Sequence, residues 1–435
     1  SVPASHDRMP YRVFLGQVAE RLRATYEGRS GQYDQVGHFI DDLQLVERSL
    51  ADNRGREAGM FHVRRMLRRV RTFGFHLATL DVRQHALMHR EIVGGAFGDP
   101  EWVRRSALER AERLSRALAS DESPFEDLTP AGKRALWVFE AMEFCRKRFG
   151  EPAVGTYVVS MAQDIDDVLS VLLLARWAGM AEGPGGQVPL DVAPLFESVE
   201  ALEEAGTIIA RLLADPVYRT HLADRGNRQA VMLGYSDSNK SAGIVASRWL
   251  LRRAQEAMVA ACDAAGVQLV VFHGRGASIG RGSSRMEGLV RGMPQGAVRG
   301  TLRETVQGEA INERYGLRPI ALRSFEQTLG AVMLTTAGIY GPELVDTRWR
   351  DAMTLLGQAS NLKYRALVHD DPVFTEFFQA ATPVDVIERM QIGSRPVSRS
   401  DSRDVDSLRA IPWMFAWSQS RHMLPGWFGS GSGLE

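Results

Sequence analysis

Short apolar runs that each break into a polar or glycine-containing turn, separated by longer helix-like stretches, constrain this chain more than any other feature. The runs are residues 77–82, 156–161, 188–196, 230–234 and 267–272. Strands alternating with helices imply βα units around a parallel sheet or barrel. In such sheets ligands bind at the carboxyl ends of the strands, where backbone N–H groups and helix N-termini converge. The residues just after each run are therefore the ones to read for chemistry. Helices outnumber these runs, and residues 1–150 read as mainly helical. Phe14, Val18 and Leu22 form one stripe, Phe39, Leu43, Val46 and Leu50 a second, and Met60, Val63, Leu67 and Val70 a third. Arg64, Arg65, Arg68 and Arg69 fall on the other faces of that third helix and read as a solvated surface. Residues 151–435 carry most of the strands, and the whole chain is read as one domain.

Composition narrows the functional classes. With 53 basic and 53 acidic side chains the formal net charge is zero, which argues against a broad electrostatic footprint for nucleic acid or anionic membrane. The longest apolar stretch, 168–177, contains Arg176 and is too short to cross a bilayer. Cys145 and Cys262 are the only cysteines, too few for a disulfide framework or a zinc site. These features lead us to expect a soluble, cytoplasmic protein.

Five strand ends or turns, and one longer segment, carry the candidate chemistry. The sequence VFHGRGASIGRGSS (271–284) runs from a strand into four glycines with His273, Arg275 and Arg281. Glycines let backbone N–H groups approach an oxyanion, and guanidiniums bind phosphate or carboxylate through two parallel bonds. The segment fits neither the Walker pattern nor the dinucleotide fingerprint, and read alone it stands equally as a tight surface turn. In MLGYSDSNKSAG (232–243), Asp237 and Lys240 follow a strand, and Ser236 or Ser238 is placed to cap the next helix. Asp237 suits a hard cation and Lys240 an anionic substrate, although an N-cap aspartate with a surface lysine explains the pair as well. Glu197 in VAPLFES ends a third strand, where a helix-start role is the plain alternative. Arg83 lies in TLDVRQHA, Arg395 in GSRP, and Arg409 opens LRAIPWMFAWSQSRHMLPGWFG, whose Trp413, Met414 and Trp417 read as core. Residues 181–186 and 398–406 read as loops.

Together and in this order, these segments resemble phosphoenolpyruvate carboxylase of the bacterial and plant type. The similarity extends through YRVFLGQVAERL, YVVSMAQDIDDVLSVLLLAR, LRETVQGEAINERYGL and SRPVSRSDSRDVDSLRAIPWMFAWSQSRHMLPGWFG. The resemblance implies a helix-rich α/β barrel of the TIM type, incomplete in its first strand, and carboxylation of phosphoenolpyruvate by bicarbonate to oxaloacetate and phosphate. It implies a Mg2+ or Mn2+ ion held by Glu197 and Asp237. Arg83, Arg395 and Arg409 would bind substrate, with Arg275 also facing the phosphate and Leu195 in the apolar wall. Lys240, His273, Arg275 and Arg281 would serve the catalytic site where carboxyphosphate forms and decomposes. The family also implies a homo-oligomer, a tetramer, under allosteric control.

The departures set further expectations. Family members are roughly twice this long, and the Thr-Ala-His-Pro motif that carries the catalytic base is not in this sequence. Nor is the C-terminal segment ending Gln-Asn-Thr-Gly. We therefore expect a central portion of such an enzyme, as an incomplete product or one piece of a split enzyme. It would need the N-terminal segment or a complementary subunit, and the isolated chain would turn over little. Exposed edges and apolar patches are expected with it. In the glycine loop Ala277 replaces a usual glycine and Ser283 and Ser284 replace glycine-rich sequence, which should stiffen or partly block it. A non-catalytic binder of metal and phosphoenolpyruvate, acting as sensor or scaffold, is the alternative. Diversion to hydrolysis of phosphoenolpyruvate to pyruvate is a weaker third reading.

Overall fold

The computed structural model describes residues 8–120, 122–124, 128–181, 186–276, 278–341, 346–390, 405 and 408–435. The chain divides into two compact units, residues 1–82 with 133–156 and residues 83–132 with 157–435. That division differs from the change at residue 150 read from the sequence. In the first unit the helices Pro10–Glu27, Val36–Asp52 and Phe61–Phe73 turn their stripes inward. Val18, Tyr33, Phe39, Leu43, Leu67 and Val70 form one buried cluster, and Val46, Leu50 and Met60 another. Arg64, Arg65, Arg68 and Arg69 are exposed, as the 3.6-residue period requires.

Six strands form one sheet in the order β1 (Leu80–His85), β2 (Val154–Ser160), β3 (Val192–Phe196), β4 (Arg228–Gly234), β5 (Gln268–Gly274) and β6 (Arg303–Glu304). The pairings from β2 to β6 are parallel. The sheet curls as a half-barrel within a largely helical chain, in keeping with an incomplete helix-rich α/β barrel. β3 buries every residue, as expected of a parallel strand covered on both faces. Strand bounds differ from the sequence reading by a few residues. β1 starts at Leu80 because Leu77 has φ 64°, a left-handed conformation that no strand continues through. Residues 188–191 lie outside β3. β6 was not foreseen, since two residues carry no apolar run.

Helices pack around this sheet in the larger unit. Ile165–Trp177 is buried along nearly its whole length, and two of its acids are held by arginines from other helices. Arg90 grips Asp167 in a bidentate pair, Nε to Oδ1 at 2.8 Å and Nη2 to Oδ2 at 2.7 Å, and Arg110 Nε donates to Asp166 at 2.6 Å. Tyr364, Phe374, Phe378, Trp413 and Trp417 build an aromatic core near the C-terminus, so the tryptophan-rich segment is core as read. The helix Arg318–Thr336 exposes Leu322, Phe325, Leu329 and Met333, each about 60% accessible, an apolar stripe of the kind expected. No helix among the described residues is long and apolar enough to cross a membrane.

Candidate active site at the carboxyl ends of the strands

Strand register sets the geometry of the site. Phe196 lies opposite Leu233, Leu233 opposite His273, and His273 opposite Glu304, so β3, β4, β5 and β6 end at one level. Just beneath, Leu195 packs with Val158, Ala193, Met232 and Phe272 in one buried cluster. This apolar layer lowers the local dielectric under whatever the strand ends hold.

Glu197 follows β3 directly and is 4% exposed. Its Oε1 accepts from the Met161 N–H at 3.0 Å, and its Oε2 accepts from Arg83 Nη2 at 3.4 Å. Met161, just past β2, has φ 56°, so the backbone leaves the strand in the left-handed region as its amide meets the carboxylate. On the other side Gly234 ends β4, and a methyl group there would fall 2.4 Å from the Glu197 Cβ. Only glycine lets β4 end this close. The helix Tyr235–Ala242 then begins, with half-buried Asp237 in its first turn. Neither Ser236 nor Ser238 caps it: the N-cap is Gly234, and Ser238 Oγ donates back to the Gly234 carbonyl at 2.7 Å. Ser198, by contrast, caps Val199–Glu203 through the Ala201 N–H.

His273 is buried at the end of β5, its Nδ1 2.8 Å from the Tyr235 hydroxyl. Burial, reinforced by the Arg275 charge, holds its pKa down at about 3, so the imidazole is neutral at physiological pH. Burial raises Tyr235 to about 12, so its hydroxyl stays protonated. Arg275 is 2% exposed and spends its donors on the protein. Nε donates to the Gly282 carbonyl, Nη1 to Glu304 Oε2, and Nη2 to both the carbonyl and the hydroxyl of Ser284, all at 2.9–3.1 Å. Ser284, one of the departures from the family loop, thus ties the loop to Arg275. Ala277 lies outside the described residues, and so does Arg395.

Arg281 is 3% exposed, and its guanidinium occupies space that any side chain at Gly276 would need. Several of the loop's glycines are therefore required by packing inside the protein, whatever anion the loop also meets. Lys240 is buried and donates to the carbonyls of Val405 and Leu408, each at 2.7 Å. Arg409 comes next and occupies the N-cap position of Ala410–Gln419. The surface lysine considered from sequence is thus an interior anchor. Direct contacts join Arg83 to Glu197 and Lys240 to the segment leading into Arg409. Sequence reasoning missed Tyr235, Asn239, Met161 and Glu304. Tyr235 and Asn239 stood inside a motif already singled out, but their partners are distant in sequence.

No group of three or more His, Cys, Asp or Glu side chains is gathered as a metal cage among the described residues. Two carboxylates at neighbouring strand ends still suit a hard divalent cation, which commonly keeps water and substrate oxygens for its other positions. Glu197 and Asp237 are the pair the sequence offers for one.

The sequence model of the family described as phosphoenolpyruvate carboxylase matches residues 2–435. The chain is 47% identical over 431 residues to the phosphoenolpyruvate carboxylase of Xanthomonas oryzae pv. oryzae (strain MAFF 311018), covering 99% of this chain and 48% of that protein. It is 36% identical over 448 residues to that of Azoarcus sp. (strain BH72) and 38% over 453 residues to that of Mycobacterium avium (strain 104). Each of those two matches covers 98% of this chain and 48% of the relative. The chain thus spans about half the length of the curated relatives it matches. The match over residues 2–435 and the identity to these relatives place the chain in the phosphoenolpyruvate carboxylase family.

Proposed function

We propose that the strand ends of this chain form part of a site that carboxylates phosphoenolpyruvate with bicarbonate, giving oxaloacetate and phosphate. The observation that carries the reading is the buried Glu197, held between Arg83 and the Met161 amide and set against Gly234 at the start of the Asp237 helix. An acid and a guanidinium at one strand end match a substrate that brings both a cation and a phosphoryl group.

Glu197 and Asp237 would hold Mg2+ or Mn2+, which supplies stabilisation of the enolate oxygen. Arg83 and Arg409, with Arg395, bind the phosphoryl and carboxylate oxygens of the substrate. Bicarbonate oxygen attacks phosphorus, the bond from phosphorus to the enol oxygen breaks, and enolate and carboxyphosphate result. Carboxyphosphate then splits to carbon dioxide and phosphate, and the enolate carbon takes up the carbon dioxide. Arg281 and Arg275 offset phosphoryl charge during these steps. Neutral His273, oriented by Tyr235, offers a ring nitrogen without adding charge. Lys240 keeps the Arg409 segment in place, and the layer containing Leu195 helps exclude water.

The test is to combine this chain with the N-terminal half of the Xanthomonas oryzae relative and follow bicarbonate-dependent oxaloacetate with Mg2+. Oxaloacetate formation that Glu197→Gln abolishes is the expected result. No product from halves shown to bind each other rejects the reading. Metal-dependent phosphoenolpyruvate binding without turnover would instead identify a binder, and pyruvate without oxaloacetate a hydrolase.

A further inference from the structure

The helix Tyr235–Ala242 carries a residue to which no role has been given. Asn239 is 1% exposed, and its Nδ2 donates to two backbone carbonyls, Gly280 at 2.6 Å and Pro425 at 2.7 Å. Both partners are acceptors, so only the NH2 end of the carboxamide can face them, and the orientation is fixed by chemistry. The two carbonyls belong to different segments. Gly280 lies in the glycine loop between Arg275 and Arg281, whereas Pro425 lies beyond the helix that starts after Arg409.

The segments also touch. A methyl group at Gly280 would stand 3.1 Å from the Met414 sulfur and 3.2 Å from the Pro425 Cβ. One residue on, Lys240 holds the Val405 and Leu408 carbonyls. A single turn of helix thus fastens the loop on one side and both ends of the Arg409 segment on the other. The two bonds of Asn239 in that turn span the loop and the segment.

We propose that Asn239 is a positioning residue that locks the glycine loop to the C-terminal segment, so that Arg281 and Arg409 are held in one fixed relation. Its catalytic consequence rests on the carboxylase reading above, but the lock itself does not. Loss of both bonds leaves two buried carbonyls unsatisfied and frees the segments to shift independently. A misplacement of about 1 Å in a reacting site is enough to lower turnover by about 10²-fold.

The test has two arms, with Asn239→Ala as the main variant. Asn239→Asp, equal in size but without donors, serves if the alanine variant does not fold. In the first arm, amide hydrogen exchange is measured on the chain alone. Residues 278–284 and 424–428 should exchange at least about tenfold faster together, with β5 unchanged, as expected when a shared tie is lost. Faster exchange in only one segment, or in neither, overturns the lock. In the second arm the variant is combined with the N-terminal half of the Xanthomonas oryzae relative. There kcat should fall by about 10²-fold, well beyond any rise in the KM for phosphoenolpyruvate, because Arg83 and Glu197 still hold the substrate while Arg281 and Arg409 lose their fixed relation. An unchanged kcat overturns the positioning role. Absence of turnover in the unaltered protein would instead count against the carboxylase reading, and hydrogen exchange would still decide on the lock.

Discussion

Two groups of charges in the larger unit use the same residue types to opposite ends. In the cluster on Ile165–Trp177, Asp167 takes two donors of Arg90, Nε and Nη2, at 2.8 and 2.7 Å and also accepts the Gln163 N–H at 2.8 Å. At the strand ends, Glu197 takes one edge of Arg83 at 3.4 Å, and the Arg83 side chain is 30% exposed. The first cluster is closed by the fold: both Asp167 oxygens are taken, although Asp166 Oδ1 is buried with no hydrogen-bond partner among the described residues. The Arg83–Glu197 contact is longer and partly open to solvent, so an incoming phosphate or cation can compete for it. Geometry of this kind separates an ion pair that holds a structure together from one poised for exchange.

The largest effect should come from opening the closed cluster. Asp167→Ala leaves Arg90 buried without its bidentate partner and should destabilise the protein by about 3–5 kcal/mol in urea unfolding. A change below about 1 kcal/mol would erase the contrast drawn here. Next, Glu197→Gln should weaken Mg2+-dependent binding of phosphoenolpyruvate by about 10²-fold, measured by calorimetry, while unfolding shifts by less than about 1 kcal/mol. Equal losses of binding and stability would make Glu197 another structural acid. Tyr235→Phe removes the hydroxyl that meets His273 Nδ1 and should cost about 1 kcal/mol in stability.

The closed cluster also predicts a pH dependence. Burial, and then the neighbouring Asp167, raises the Asp166 pKa to about 7 from 3.8. Between these values the folded state binds the extra proton, so its contribution to stability is present at low pH and is lost as pH rises through about 7. Asp166→Asn should flatten that part of the stability profile, and an unaltered slope would show that Asp166 is ionised throughout. Smallest of all, Arg68→Ala on the exposed face of Phe61–Phe73 should shift unfolding by less than about 0.5 kcal/mol.

Much of this was legible because its causes are local. The runs that became β2 to β5, the helical stripes of the first unit and the acids and arginines after the strands follow from side-chain period and turn chemistry within a few residues. The partners of those residues were not legible. Lys240 lies in a polar turn and reads as a surface group, with Asn239 unremarked beside it, yet their carbonyl partners are 41 to 186 positions away in sequence. The glycine loop was read as a cradle for anions, and its composition fits that reading. Sequence could not say that Gly276 makes room for Arg281 or that Gly282, at φ 98°, lies against the Tyr235 ring. β6 escaped because Arg303 and Glu304 pair through backbone groups, which every residue carries alike.

Gly234 carries a consequence of its own. With 2.4 Å between the Glu197 Cβ and the place where a side chain would start, three hydrogens on one added carbon would wedge β3 and β4 apart at their tips. The proposed cation position is thus vulnerable to a lesion that alters no charge and removes no ligand. A harmless-looking alanine at this spot would disarm it as surely as loss of the acid.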